Sequence, residues 1–130
     1  MLSQHLYIST APSLSRDEVD AILASSARNN PANGITGLLL YNGRNFLQLL
    51  EGGSEALKTL MMRIAHDPRH TGVSVLAHRH IEQRACPDWA MKRLPIAESV
   101  TARREMLEAE LPHRLDEETR KIIINFSVLN

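Results

Sequence analysis

The chain holds a single cysteine, Cys86, so it cannot close a disulfide on itself, and a lone thiol suits the reducing cytoplasm. It has no excess of either charge, since fifteen basic and fifteen acidic residues cancel. The basic footprint left by phosphate-backbone binding is missing, so nucleic acid is not expected as the main partner. No apolar run is long enough to span a bilayer and no signal peptide opens the chain, so neither membrane insertion nor export is expected. There is no Walker A loop and no Gly-x-Gly-x-x-Gly fingerprint. His78 and His80 stand two apart, but no cysteine or carboxylate cluster joins them at a recognised ligand spacing. No repeat or low-complexity segment interrupts the pattern. What remains is an ordinary globular composition, 43% hydrophobic and 23% charged over 130 residues. That length fits one domain burying roughly 65–70% of its unfolded surface.

Hydrophobic periodicity supplies the elements. Residues 5–10 read as a strand, with Leu6 and Ile8 on one face and Tyr7 and Ser9 on the other. Ser15 and Glu18 form a capping-box pattern for a helix whose stripe is Val19, Ile22, Leu23 and Ser26. The helix is expected to stop near Asn30, because the residue before Pro31 resists helical angles. Residues 35–41 are nearly all apolar, as in a strand buried on both faces, and Asn42-Gly43-Arg44 reads as a hairpin loop into a strand over 45–50. A second helix carries Leu57, Leu60, Met61 and Ile64 at helical spacing, and further strands are expected at 73–77 and about 89–94. The order β-α-β-β-α-β-β predicts an α+β fold, a ferredoxin-like sandwich with two helices on one face of a mixed sheet. Residues 1–97 form this unit. Residues 98–130 read as a helical extension with two helices separated by Pro112, which would either cover the free sheet face or make a subunit contact.

One residue breaks the apolar pattern. Gln48 shares a strand face with Phe46 and Leu50, and burying an unpaired amide costs roughly 1–3 kcal/mol. Either side chains or a ligand must satisfy it. In a ferredoxin-like sheet the first and third strands are neighbours, so Tyr7 and Gln48 can meet. Ile22, Ser26 and Asn29 form one helical row, and with Asn30 that row suits the wall of a pocket floored by the sheet. Capping of the helix end is the plainer role for Asn29 and Asn30.

These residues also carry a family resemblance. Asn29-Asn30-Pro31-Ala32-Asn33-Gly34-Ile35-Thr36-Gly37 followed by Phe46-Leu47-Gln48-Leu49-Leu50-Glu51-Gly52 resembles the BLUF domain, the sensors of blue light using FAD. Tyr7, the run from Asp67 to His70, and Trp89-Ala90-Met91 fall where that family has its other markers, and the resemblance covers roughly residues 4–94. It implies that FAD is bound non-covalently and that Tyr7 donates an electron and a proton when the flavin is excited. Gln48 would bridge Tyr7 and the ring. Asn30 would hold the polar edge of the ring, supported by Asn29 and Ser26, with Ile22 and Phe46 in apolar contact. Arg63, Asp67, Arg69 and His70 would meet the ring edge, ribityl chain or phosphates. Trp89 and Met91, two apart on a strand, are expected to share a face near Gln48 and to relay the signal to the helices after them. Cys86 departs from the family, where an aromatic is frequent nearby, and is read as a packing change.

The resemblance implies a photoreceptor rather than an enzyme, and the chain ends too soon after the sensor for an output enzyme to be expected. The greasy segment 122–129 suggests a homo-oligomer, and output is expected through that oligomer or a separate protein partner. The alternative is a ferredoxin-like module that binds a different small molecule without photochemistry.

Overall fold

In the computed structural model, residues 1–10, 14–67, 71–94 and 99–129 are described. The elements are β1 (Leu2–Thr10), α1 (Arg16–Ala32), β2 (Thr36–Tyr41), β3 (Asn45–Gly53), α2 (Ser54–His66), β4 (Thr71–Ile81), β5 (Ala90–Arg93), α3 (Val100–Glu110) and α4 (Glu117–Leu129). The strands form one sheet in the order β4-β1-β3-β2-β5. All pairings are antiparallel except β2 with β5, which is parallel, so the sheet is mixed. This is the ferredoxin-like arrangement the element order predicts.

Local chemistry sets the element ends. The capping box at α1 is complete: Glu18 N donates to Ser15 Oγ at 3.1 Å, and Ser15 N donates to Glu18 Oε1 at 3.1 Å. In the hairpin, Asn42 Oδ1 accepts from Arg44 N and Asn45 N, and Gly43 supplies a φ of +90°. One expectation fails. The first helix does not stop at Asn30 but runs through Pro31 to Ala32, and its C-cap is Asn33. Proline sits in the last turn, where it deletes one backbone hydrogen bond and nothing follows it to be broken. Asn30 therefore does not cap through its side chain. Its carbonyl does the work, accepting from Asn33 N at 3.0 Å and Ile35 N at 2.8 Å. The fourth strand is also longer than its apolar core, because β4 pairs with β1 over the whole span from Leu2 to Thr10.

The sheet has a core on each side. On one face Tyr7, Leu39, Phe46 and Leu50 meet Ile22 of α1 and Leu57 of α2. On the other, Leu6, Leu38, Leu40, Leu47 and Leu49 meet Leu107, Leu111, Ile123, Ile124 and Phe126 of the C-terminal helices. Helices α3 and α4 thus cover the sheet face that α1 and α2 leave open. No helix among the described residues is long and apolar enough to cross a membrane.

Candidate functional site

Strand register brings the central pair together. Tyr7 on β1 lies directly opposite Gln48 on β3, and Gln48 lies opposite Leu39 on β2. Both polar side chains are buried, with Tyr7 1% and Gln48 6% exposed. The Tyr7 hydroxyl donates to Gln48 Oε1. Gln48 Nε2 donates to Met91 Sδ at 3.1 Å. A thioether sulfur only accepts, so this pairing assigns which end of the amide faces which partner. Burial pushes the Tyr7 phenol well above its ordinary value, and the nearby Asp67 charge pushes it further the same way. Tyr7 therefore stays protonated, and a proton donor, at neutral pH.

Met91 reaches Gln48 through an irregular backbone. Across β2 and β5, Gly37 pairs with Ala90 and Leu38 with Lys92, which leaves Met91 as the extra residue of a bulge. Met91 has a φ of +105°, the only positive φ outside glycine among the described residues, and such strain costs on the order of 1–3 kcal/mol. The bulge corrects the expectation that Trp89 and Met91 share a face. Met91 is buried with Tyr7 and Ile22 on the α1/α2 side. Trp89 precedes the strand and packs into the opposite core, beneath the C-terminal helices, with Lys92 Nζ 4.6 Å from the centre of its ring.

Beside this triad opens a cavity of about 320 Å³ between α1, α2 and the sheet. Ile22, Ser26, Asn29 and Asn30 line it from α1, Arg63 and Asp67 from the end of α2, and Tyr7 and Gln48 from the floor. Phe46 is elsewhere on the same face, buried against the Tyr41 ring at 4.4 Å rather than lining the cavity. Arg69 and His70 lie outside the described residues. Sequence reasoning missed Ser25, Asn33, Thr59 and Ile35 as lining residues. Ser25 and Asn33 follow from the row of Asn29, since Asn29 Nδ2 donates to Ser25 Oγ at 3.2 Å and Asn33 Nδ2 donates to Asn29 O at 2.8 Å.

The cavity suits a planar ligand with a polar edge. Asn30 is 4% exposed and lines the cavity, yet its amide is bonded to no described side chain. A buried amide aimed into open space calls for a partner that carries both acceptor and donor. Ile22 and Ile35 supply apolar walls, and Arg63 offers a cation at the rim. A flavin, an apolar ring system edged by carbonyls and an N–H, matches this set. A second groove outside the site holds His5, His66, His78 and His80. Among the described residues no group of three or more His, Cys, Asp or Glu is placed to hold a metal ion.

Comparison with known proteins agrees with this chemistry. The family model described as sensors of blue-light using FAD matches residues 2–92. A photoactivated adenylate cyclase subunit beta from Euglena longa is 40% identical over 87 residues, 65% of this chain and 10% of that protein. The chain thus spans about a tenth of the length of such curated relatives. The structure of BlrP1 of Klebsiella pneumoniae with FMN and cyclic diGMP superposes with a TM-score of 0.82 at 31% identity, covering 98% of this chain and 34% of that one. The dark-state structure of BlrB, a BLUF protein, superposes with a TM-score of 0.70 at 30% identity, covering 93% and 83%. The chain belongs to the BLUF family, the flavin-binding sensors of blue light.

Proposed function

We propose that the Tyr7–Gln48–Met91 chain is the light switch of this sensor and that the flavin is FAD. The observation that carries this reading is Gln48 itself: a buried amide bonded on one side to a phenol and on the other to a sulfur, at the floor of the cavity. Asn30 and Gln48 would hold the polar edge of the ring, Ile22 its apolar body, and Arg63 the phosphate-bearing end. A bound flavin supplies absorption of blue light and, when excited, a strong oxidant. Tyr7 is the residue placed to lose an electron and its hydroxyl proton, and Gln48 Oε1 is the first acceptor on that proton's path.

An amide is nearly symmetric in shape and opposite in hydrogen bonding at its two ends. Turning or tautomerising Gln48 therefore rewires the site without moving the backbone. The step breaks the Nε2 bond to Met91 Sδ and frees a donor toward the cavity. Met91, released at its strained position, passes the change along β5 to the C-terminal helices, and from there to an oligomer contact or a separate protein partner. The population shift needs only a few kcal/mol between two arrangements.

The test is an absorption spectrum of the purified protein in the dark and just after blue light, with mass analysis of the released cofactor. A flavin spectrum that moves slightly to the red and relaxes in darkness supports the switch, and release of FAD supports the cofactor. A flavin that only bleaches sinks the Tyr7–Gln48 switch. A protein that takes up no flavin would favour a binding module for another small molecule.

A further inference from the structure

Glu51 is a carboxylate with no exposed surface, three residues beyond Gln48 on β3, and the flavin site does not use it. It accepts from Cys86 N at 2.7 Å through Oε1, and from Ala85 N at 3.0 Å and Gln4 Nε2 at 2.9 Å through Oε2. Glu51 thereby ties the loop before β5 to the middle of the sheet. The same loop is held at its other flank by Arg84, which donates to Thr36 Oγ1, Glu51 O and Gly34 O. Cys86 O in turn accepts from Trp89 N, two residues before Met91.

The polar contacts continue away from the loop. Gln4 Oε1 accepts from Arg79 Nε at 3.2 Å. Arg79 Nη2 lies 3.0 Å from Asp116 Oδ1 in an ion pair. Asp116 Oδ2 accepts from Thr119 N at 3.1 Å and so caps the start of α4. A connected line therefore runs from the segment preceding Met91, across β3, β1 and β4, to the first turn of the C-terminal helix.

Gln4 is the joint of this line. It is 4% exposed. Its carboxylate partner can only accept and its guanidinium partner can only donate, so its amide has one orientation that satisfies both. Gln48 differs, because a phenol can donate or accept and its other partner is a weakly accepting sulfur. The partners of Gln4 thus accept one amide orientation only, whereas those of Gln48 do not impose one as strictly. A locked amide transmits a displacement of the loop, whereas a free one would absorb it.

Resting on the light-switch reading above, we propose that Gln4 is a positioning residue that couples the light-driven change at β5 to the first turn of α4, through Glu51 on one side and Arg79 and Asp116 on the other. The competing route is direct apolar packing of the sheet on α3 and α4. The two make different predictions. Gln4→Leu removes both hydrogen bonds at similar volume, and Arg79→Met keeps the side-chain stem while removing the guanidinium at a half-exposed site. Neither residue lines the flavin cavity.

The experiment is hydrogen–deuterium exchange of the flavin-loaded full chain in the dark and under blue light, with the absorption shift recorded on the same samples. The expected result is an equal red shift in all three proteins, with a light-dependent change in exchange at the start of α4 that falls at least two-fold in both variants. A change in α4 that persists undiminished in Arg79→Met overturns the coupling, even if Gln4→Leu fails to fold. A wild type that shifts to the red without any change in α4 overturns it too. A wild type with no red shift overturns the light switch itself, and with it this proposal, a distinct result read from the spectrum alone.

Discussion

Gln48 is tied to Met91 by a 3.1 Å hydrogen bond from Nε2 to Sδ, across 43 residues of sequence and over the intervening strand β2. Thioether sulfur is a weak acceptor, so this is the easier of the amide's two bonds to give up. In the proposed switch, the less costly exchange is therefore on the Met91 side.

Removing the phenolic proton tests the inner half of the proposed switch. Tyr7→Phe keeps the buried ring and deletes the donor to Gln48 Oε1. The expected outcome is retained flavin binding and complete loss of the light-induced red shift, read by absorption. A variant that still shifts would remove Tyr7 from the mechanism.

The outer half has a built-in reporter. Trp89 is the one tryptophan of the chain, so tryptophan emission, excited selectively over the two tyrosines, reports on that site alone. Blue light is expected to change its emission in the wild type. Met91→Ala should abolish that change while leaving the absorption shift in place. A normal spectral shift together with an unchanged Trp89 response would sink Met91 as the relay.

Asn30→Ala deletes a buried amide that lines the cavity. Losing hydrogen bonds to a buried polar edge costs about 1–3 kcal/mol, which converts to roughly 5- to 150-fold in flavin affinity. Titration of the flavin-free protein measures it. Unchanged affinity would show that the polar edge of the ring lies elsewhere.

Backbone contact at Gly37 gives a stability prediction. A Cβ there would stand 1.8 Å from Leu49 O, a backbone atom that cannot move aside. Gly37→Ala is therefore expected to cost more than the about 1–3 kcal/mol of ordinary overpacking and to lower the unfolding midpoint sharply. A near-neutral result would mean that β2 and β3 separate more easily than their pairing suggests.

Alkaline pH probes the interior. Burial first, and then the Glu51 carboxylate, push the Cys86 thiol from 9.0 up to about 12. Tyr7 is raised from 10.0 in the same direction. Both folded-state values lie above the unfolded ones, so the folded chain binds protons that the unfolded chain has lost. Their contribution to stability is complete below about pH 9 and is lost as pH rises toward 12. Denaturant midpoints should fall over that window, and a thiol reagent near neutral pH should modify Cys86 only after unfolding. A midpoint flat across the window would contradict the buried thiol.

The element order, the capping box at Ser15, the row of Ile22, Ser26 and Asn29, and the oddity of Gln48 are all legible along the chain, because each is local and has its own period or chemistry. From those, the adjacency of Tyr7 and Gln48 followed by topology, and the register pairs the two residue for residue. The side of the sheet to which Trp89 and Met91 turn depended on tertiary structure. A period of two places them together, but one extra residue in β5 and a φ of +105° send them to opposite cores. Helix α1 likewise passes Pro31 because the cost falls in its last turn. The line from Glu51 through Gln4 and Arg79 to Asp116 has no sequence signature, since its members come from four separate elements and loops and acquire partners only once the sheet is assembled.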